Sequence, residues 1–304
     1  MSSDPIDLEK AEQLTIDGVV AMRASRDVLT ATGPDAAVYL QGQISQNAEA
    51  LAVGNTAWTL LLQPQGKVEA WLRMHRLAED RFLLDVDPGF GSVAKDRLER
   101  FKLRVDVEFE LQTLAVVALR GPDSGEVAAT LTAGTEGVIE LDASFAAMVG
   151  VDLVALGEQV VDLGSIALGP PGLLDVLRVK HGIPAMGSEL DDSTIPAAAG
   201  IVDRSVDFTK GCYVGQELVA RIDSRGSNTP TKLHSLRFLG GTPEPGAELE
   251  LEGSVVGNVT SVALSAITGP IGLGYLKRSV EVPATVTVAG HAGITAEAVA
   301  LQAG

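Results

Sequence analysis

The sequence predicts an α+β protein that ends in a small all-β barrel, and three observations predict it. Up to about residue 225, short strand-like runs alternate with a few helical stripes, joined by short turns. Residues 224–230 are then rich in Gly, Ser, Asn and Pro, as linkers are. Beyond that stretch, β-like segments at 233–239, 248–251, 255–263, 272–276, 285–288 and 295–300 are separated by Gly and Pro turns. The domain boundary is therefore placed at 228/229, with the barrel at 229–304.

Each earlier element has its own local reason. Residues 32–42 read as a short helix, with Pro34 suited to its first turn and Gly42 to its stop. Strand-like runs follow at 57–63, 68–77 and 81–86, and Pro64-Gln65-Gly66-Lys67 reads as the turn between the first two. Residues 92–104 place Val93, Leu98, Phe101 and Leu103 among charges, which predicts a helix with its basic residues facing solvent. Residues 105–110 and 113–120 read as paired strands, and Gly121-Pro122-Asp123 opens a helix to about Leu131. An apolar region at 145–156, a helix at 173–181 and an irregular polar stretch at 187–194 complete this part.

Composition narrows the function classes. Hydrophobic residues at 46% and charged residues at 21% suit a globular chain rather than a disordered one. Lys and Arg number 23 against 40 Asp and Glu, a net charge of −17 that repels phosphate backbones and anionic membranes. Direct nucleic-acid binding is not expected, and Lys95, Arg97, Arg100, Lys102 and Arg104 form the one strong basic run, either a solvated helix face or a docking face. The single cysteine, Cys212, excludes an intrachain disulfide and a Cys-rich cluster held by one chain. His75, His181, His234 and His291 are scattered, so no metal site is expected. The N-terminus has no basic region followed by an apolar run, and the uncharged stretch 255–276 is interrupted by Asn258, Gly269, Pro270, Gly272 and Gly274. A cytoplasmic protein without a membrane partner is the expectation.

The chemistry concentrates in residues 208–221, Phe-Thr-Lys-Gly-Cys-Tyr-Val-Gly-Gln-Glu-Leu-Val-Ala-Arg. Gly211 and Gly215 permit a tight turn, and residues 216–222 have helical spacing. Cys212 then lies just before a helix N-terminus and beside Lys210, both of which favour a thiolate. A lone cysteine in apolar surroundings is equally a small buried hydrophobe, and Lys210 with Glu217 could be a surface ion pair.

Lys-Gly-Cys-Tyr-Val-Gly-Gln-Glu at 210–217 matches the signature K-G-C-[FY]-x-G-Q-E, and by it the chain resembles the YgfZ family. Weaker likenesses run in the same order: Gly33-Pro-Asp-Ala with Tyr39-Leu-Gln-Gly-Gln-Ile-Ser, Pro64-Gln-Gly-Lys-Val, Arg178 with Gly182-Ile-Pro, Ala220-Arg-Ile with Arg225-Gly, and Gly257-Asn-Val-Thr-Ser. The resemblance implies a T-protein-like fold of three subdomains in a cloverleaf, two of them interleaved α+β subdomains within residues 1–228, and a last β-barrel. It implies binding of a reduced folate, tetrahydrofolate or a one-carbon-substituted form. It also implies an accessory role in assembling or maintaining iron–sulfur clusters and, through them, in tRNA modification, with assembly proteins or client enzymes as partners.

The related glycine-cleavage T-proteins transfer an aminomethyl group with the help of an Asp-Asp pair after a turn. Aligned by eye, those positions fall here on Ala70 and Trp71, with Glu69 adjacent. A methyl and an indole cannot act as a carboxylate does, so the resemblance leans away from an enzyme, with tetrahydrofolate-dependent aminomethyl transfer as the alternative and a scaffold as a third reading. Cys212 and Lys210 are the candidate reacting groups. Tyr213, Trp58 and Trp71 are candidates to stack on a pterin, and either tryptophan could instead be core. Arg178, Arg221 and Arg225 are candidates to pair with glutamate carboxylates. Gly215 would allow close backbone approach, while Gln216 and Glu217 would cap the helix or bind the pterin.

Overall fold

The computed structural model describes residues 4–157, 159–226 and 228–302. In chain order its elements are α1 (Leu8–Asp17), β1 (Val20–Thr32), α2 (Ala36–Gln43), β2 (Thr56–Leu62), β3 (Val68–Ala78), β4 (Arg81–Val86), α3 (Gly91–Arg100), β5 (Glu108–Arg120), α4 (Ser124–Thr132), β6 (Val138–Asp142) and β7 (Gly150–Ala155). Then follow α5 (Leu173–Lys180), α6 (Val202–Ser205), α7 (Gln216–Asp223), β8 (Thr231–Leu239), β9 (Glu248–Leu251), β10 (Ser254–Ser265), β11 (Gly269–Lys277), β12 (Ala284–Val288) and β13 (Thr295–Ala300). The chain divides into two compact units, one of residues 25–116 and 185–228, the other of 1–24, 117–184 and 229–304. We call them the signature unit and the barrel unit.

In the signature unit β2, β3, β4 and β1 are hydrogen-bonded in that order, all antiparallel. The turn expected at 64–67 is there: Gly66 adopts φ +78 and its N–H donates to Gln63 O at 2.8 Å. β3 is buried along most of its length, including Arg73, His75 and Arg76. A buried guanidinium needs a full set of partners. Arg73 finds them in Asp85 of β4, which accepts Nε at Oδ1 and Nη2 at Oδ2, both at 2.7 Å. Asp85 also accepts Arg26 Nε at 2.8 Å, and Arg26 pairs further with Asp87.

Three expectations change here. The helix at 92–104 is α3, but its buried face is Gly91, Ala94, Arg97 and Leu98, whereas Val93, Phe101 and Leu103 are exposed. Arg97 is therefore not part of a solvent-facing basic run. Its guanidinium turns inward to Gln43 Oε1 at 3.1 Å and Leu62 O at 3.2 Å, with Glu69 3.1 Å from Nε. The strands expected at 105–110 and 113–120 are one continuous strand, β5, because Leu111-Gln112 offers no residue that turns a chain. The helix expected from residue 32 starts at Ala36, because Thr32 ends β1 and Gly33, at φ +145, packs where a Cβ would lie 2.3 Å from Asp106 O. No element was expected before residue 32. β1 escapes pattern reading because Arg23, Ser25, Arg26 and Asp27 interrupt its apolar run.

In the barrel unit, α1 is capped by Asp7, whose carboxylate accepts Lys10 N–H at 2.9 Å. β7 pairs with β6, and Ala21, Val117, Leu119, Ala128 and Leu153 form one core. The barrel closes in the order β10-β11-β8-β13-β12-β9. Its core is Leu236, Phe238, Leu249, Val259, Leu276, Val286, Val288, Ala296 and Ala298. The six strands read from Gly/Pro punctuation all form. Glu12 of α1, fully buried, clasps the β10–β11 turn by accepting Ser265 Oγ at 2.7 Å and Ala266 N–H at 2.6 Å. Among the described residues no helix is long and apolar enough to cross a membrane.

Barrel closure gives a direct test. A Cβ on Gly272 would lie 2.6 Å from the Phe238 ring and 2.7 Å from Ser261 O. Gly272→Ala is expected to lower stability by about 1–3 kcal/mol in urea unfolding. Gly125→Ala, in α4 with open space around the added methyl, is expected to raise it by about 0.5 kcal/mol.

Candidate functional site

The signature segment lies in the signature unit as an irregular loop, 207–215, leading into α7. The loop opens on Asp207, whose Oδ1 accepts Thr209 N–H at 2.7 Å and Thr209 Oγ at 2.6 Å, while Oδ2 accepts Asn47 Nδ2 at 3.3 Å. These bonds, the Thr209 hydroxyl first, hold the Asp207 carboxyl below its ordinary pKa.

Lys210 is the anchor of the loop. Its Nζ donates to the backbone carbonyls of Gln41 at 2.6 Å, Ile44 at 2.7 Å and Gln46 at 2.9 Å, where α2 ends. The ammonium also lies 5.1 Å from the centre of the Tyr213 ring, within cation–π range. Burial pulls the Lys210 amine down to about 8, with Asp207 and Glu49 acting in the opposite direction. Burial also pushes the Tyr213 phenol up to about 12.

The next residues divide into those that build the loop and those that face water. Val214 N–H donates to Gly42 O at 3.3 Å, and Gln216 Oε1 turns back to accept Tyr213 N–H at 3.1 Å. Gly215, the residue before α7, has φ +85, and a Cβ there would lie 2.5 Å from Gln63 O. Gly211 and Cys212 are exposed, and a Cβ on Gly211 would meet nothing within 4 Å. The buried-hydrophobe reading of Cys212 is thereby overturned: the turn carries its side chain outward, away from apolar neighbours. Glu217 is exposed in the first turn of α7, where its charge suits the helix dipole. Arg221, in the last turn of α7, and Arg225 beyond it are both exposed.

The tryptophans come together. The β2–β3 register sets Trp58 opposite Arg73, two residues from Trp71 on the same face. Their rings stack at 4.1 Å between centroids and 21° between planes, with the Arg73 guanidinium 5.5 Å from the Trp58 ring. Trp71 is buried and its indole N–H donates to Ser205 Oγ at 2.9 Å, while Trp58 stays half-buried. Ser45, fully buried, extends this polar seam. Its hydroxyl donates to Ser205 O at 2.6 Å and accepts Leu60 N–H at 2.8 Å, and its carbonyl accepts Asp207 N–H at 3.1 Å. Sequence reading missed Ser45, Ser205, Gln41 and Gln46, because all four contribute backbone carbonyls and serines carry no spacing signal. Arg178 belongs to the barrel unit, where Nη2 donates to Ser261 Oγ at 2.9 Å and Nη1 to Ile183 O at 3.4 Å. Among the described residues no group of three or more His, Cys, Asp or Glu side chains could hold a metal ion.

Two outcomes test this geometry. Gly215→Ala is expected to cost about 1–3 kcal/mol through strain and overlap, whereas Gly211→Ala is expected to stay within about 0.5 kcal/mol of the parent in thermal unfolding. In an NMR titration Lys210 is expected to lose its proton near pH 8, not near its ordinary 10.5. The unfolded chain keeps that proton longer, so this residue's contribution to stability is flat below pH 8 and rises between pH 8 and 10.5. Replacing Lys210 by Met removes that rise.

Residues 27–155 match the GCVT N-terminal domain. The chain is 28% identical over 292 residues to an aminomethyltransferase of Streptomyces avermitilis, covering 86% of this chain and 78% of that one. It is 27% identical over 266 residues to the tRNA-modifying protein YgfZ of Vibrio vulnificus, covering 82% and 79%. The crystal structure of the glycine cleavage system aminomethyltransferase T from Bartonella henselae superposes with a TM-score of 0.82 at 19% identity, over 98% of this chain and 90% of that one, and shares the fold. With the closed six-stranded barrel and mixed α/β architecture described above, these matches support a YgfZ/GcvT-like family for the chain.

Proposed function

We propose that this chain binds a reduced folate, tetrahydrofolate or a one-carbon-substituted form, and acts as an accessory protein in the assembly or maintenance of iron–sulfur clusters and, through them, in tRNA modification. The observation that carries this reading over aminomethyl transfer is β3 at residues 69–71. Ala70 is fully buried and Trp71 is nearly so, its indole N–H taken by Ser205. Glu69, the one carboxylate that a one-residue shift could bring into the Asp-Asp positions, sits 3.1 Å from Arg97 Nε. A carboxylate engaged by a buried guanidinium is turned to that partner and not toward an amine substrate.

The chain's residues suit a folate on chemical grounds. Trp58, half-buried and stacked on Trp71, is an aromatic ring of the kind that a pterin stacks on. Exposed Arg221 and Arg225 are guanidinium groups fit for the carboxylates of a glutamate tail. The same family includes aminomethyltransferases and YgfZ proteins, which supports a folate ligand for this chain. Cys212, exposed on a loop anchored at both ends, would offer one sulfur to a partner in this reading. Lys210 is not the reacting amine in this reading, because its three N–H groups are spent on carbonyls.

Titration calorimetry with tetrahydrofolate and its methylene and formyl forms tests the ligand. Micromolar binding to at least one form is expected, weakened about tenfold in Trp58→Leu. No binding to any form overturns the folate reading. Cys212→Ser is expected to leave that affinity unchanged and to lower the activity of a cluster-dependent enzyme in cells lacking the parent protein. Measurable turnover of an aminomethyl donor with tetrahydrofolate favours the transferase instead.

A further inference from the structure

Helix α2 ends half-buried, at Gln43, and that ending poses a problem its own sequence does not solve. The last carbonyls of a helix have no intrahelical donor, and a cation near them is favoured by the helix dipole. The last turn of α2 carries no basic residue. Leu40 O takes the N–H of Ile44, and Gly42 O takes that of Val214. Gln41 O, Ile44 O and Gln46 O converge instead on one point, 2.6 to 2.9 Å from Lys210 Nζ. Ile44 is fully buried, while Gln41, Gln46 and Lys210 are half-buried.

We propose that Lys210 is a positioning residue, a tethered cation filling a three-carbonyl cage that locks the 41–46 turn to the signature loop, and that the empty cage of a truncated variant takes a small monovalent cation. The geometry fits an ammonium: a protonated lysine has three donors on one atom, and there are three acceptors. Arginine presents a planar fork and cannot aim three N–H bonds at a pyramidal trio. Rings of backbone carbonyls bind bare monovalent cations by replacing their hydration shell. Burial works against the charge, while Asp207, Glu49 and the Tyr213 ring 5.1 Å away act in its favour. The lock fixes the loop two residues before Cys212 and four before Val214, whose N–H makes the second tie to α2. This inference goes beyond the folate reading and does not rest on it.

Two measurements test it, both on the full chain near neutral pH. In the parent, NMR is expected to show a slowly exchanging Lys210 ammonium with couplings through hydrogen bonds to the carbonyl carbons of Gln41, Ile44 and Gln46. A rapidly exchanging, solvent-like ammonium overturns the proposal whether or not any variant folds. In Lys210→Ala, amide exchange across residues 41–47 and 210–216 is expected to accelerate about tenfold or more. Methylammonium or potassium, compared at equal ionic strength, is expected to restore protection, and tetramethylammonium, too bulky for the cage, is not. Unchanged exchange in Lys210→Ala overturns the lock. Restoration by no cation, or equally by tetramethylammonium, overturns the cage and leaves only the packing of the lysine stem.

Discussion

The ammonium of Lys210 among the carbonyls of Gln41, Ile44 and Gln46 is the contact on which the signature unit turns. It joins segments 169 residues apart in the chain, and it does so with a charge rather than an apolar surface. An apolar contact can slide by an ångström at little cost. Three short charge-assisted hydrogen bonds to three fixed carbonyls cannot. The loop that leaves Lys210 therefore starts from a defined point, and Val214, Gly215 and Gln216 fix where it ends. What lies between, Gly211 and Cys212, is exposed. Rigid ends with an open middle are what a chemical group presented to a partner requires.

The same logic of paired interior charge runs through β3 and its neighbours. Arg73 with Asp85 and Arg26, and Arg97 with Glu69, Gln43 and Leu62, are cations below the surface. Such groups add little net stability over well-packed apolar residues, yet removing one partner leaves a buried charge exposed to a low dielectric. Their effect is to restrict the packing of β3 to one arrangement. That arrangement sets Trp58 on Trp71 and engages Glu69 with Arg97. The tryptophan stack and the engagement of Glu69 by Arg97, from which the proposed reading is argued, follow from it.

How much of this was legible in the sequence differs from element to element. The barrel was legible because each strand is short, each turn carries Gly or Pro, and period-two alternation needs no knowledge of distant residues. Strand β13, residues 295–300, was placed at both ends correctly for this reason. Helix α3 was found, but its buried face was misassigned. Arg97 looks solvent-facing by type and is buried by tertiary pairing with groups more than 25 residues away, including Leu62 O and Gln43. β5 was split in two because its polar stretch at 110–113 reads as a break, although no residue there turns the chain.

The sequence by itself determined the mixed architecture, the C-terminal barrel, the exclusion of an intrachain disulfide and the location of the signature at 210–217. These are set by local pattern, by composition and by a contiguous run of residue types. Only the tertiary structure decided where the signature side chains lie. Lys210 reads in the sequence as a candidate reacting group beside Cys212, and the fold turns it to three backbone carbonyls that carry no side-chain identity at all. Backbone acceptors are the same for every residue, so no sequence pattern marks them. Their convergence on one point exists only once α2 ends and the chain, far downstream, returns to it.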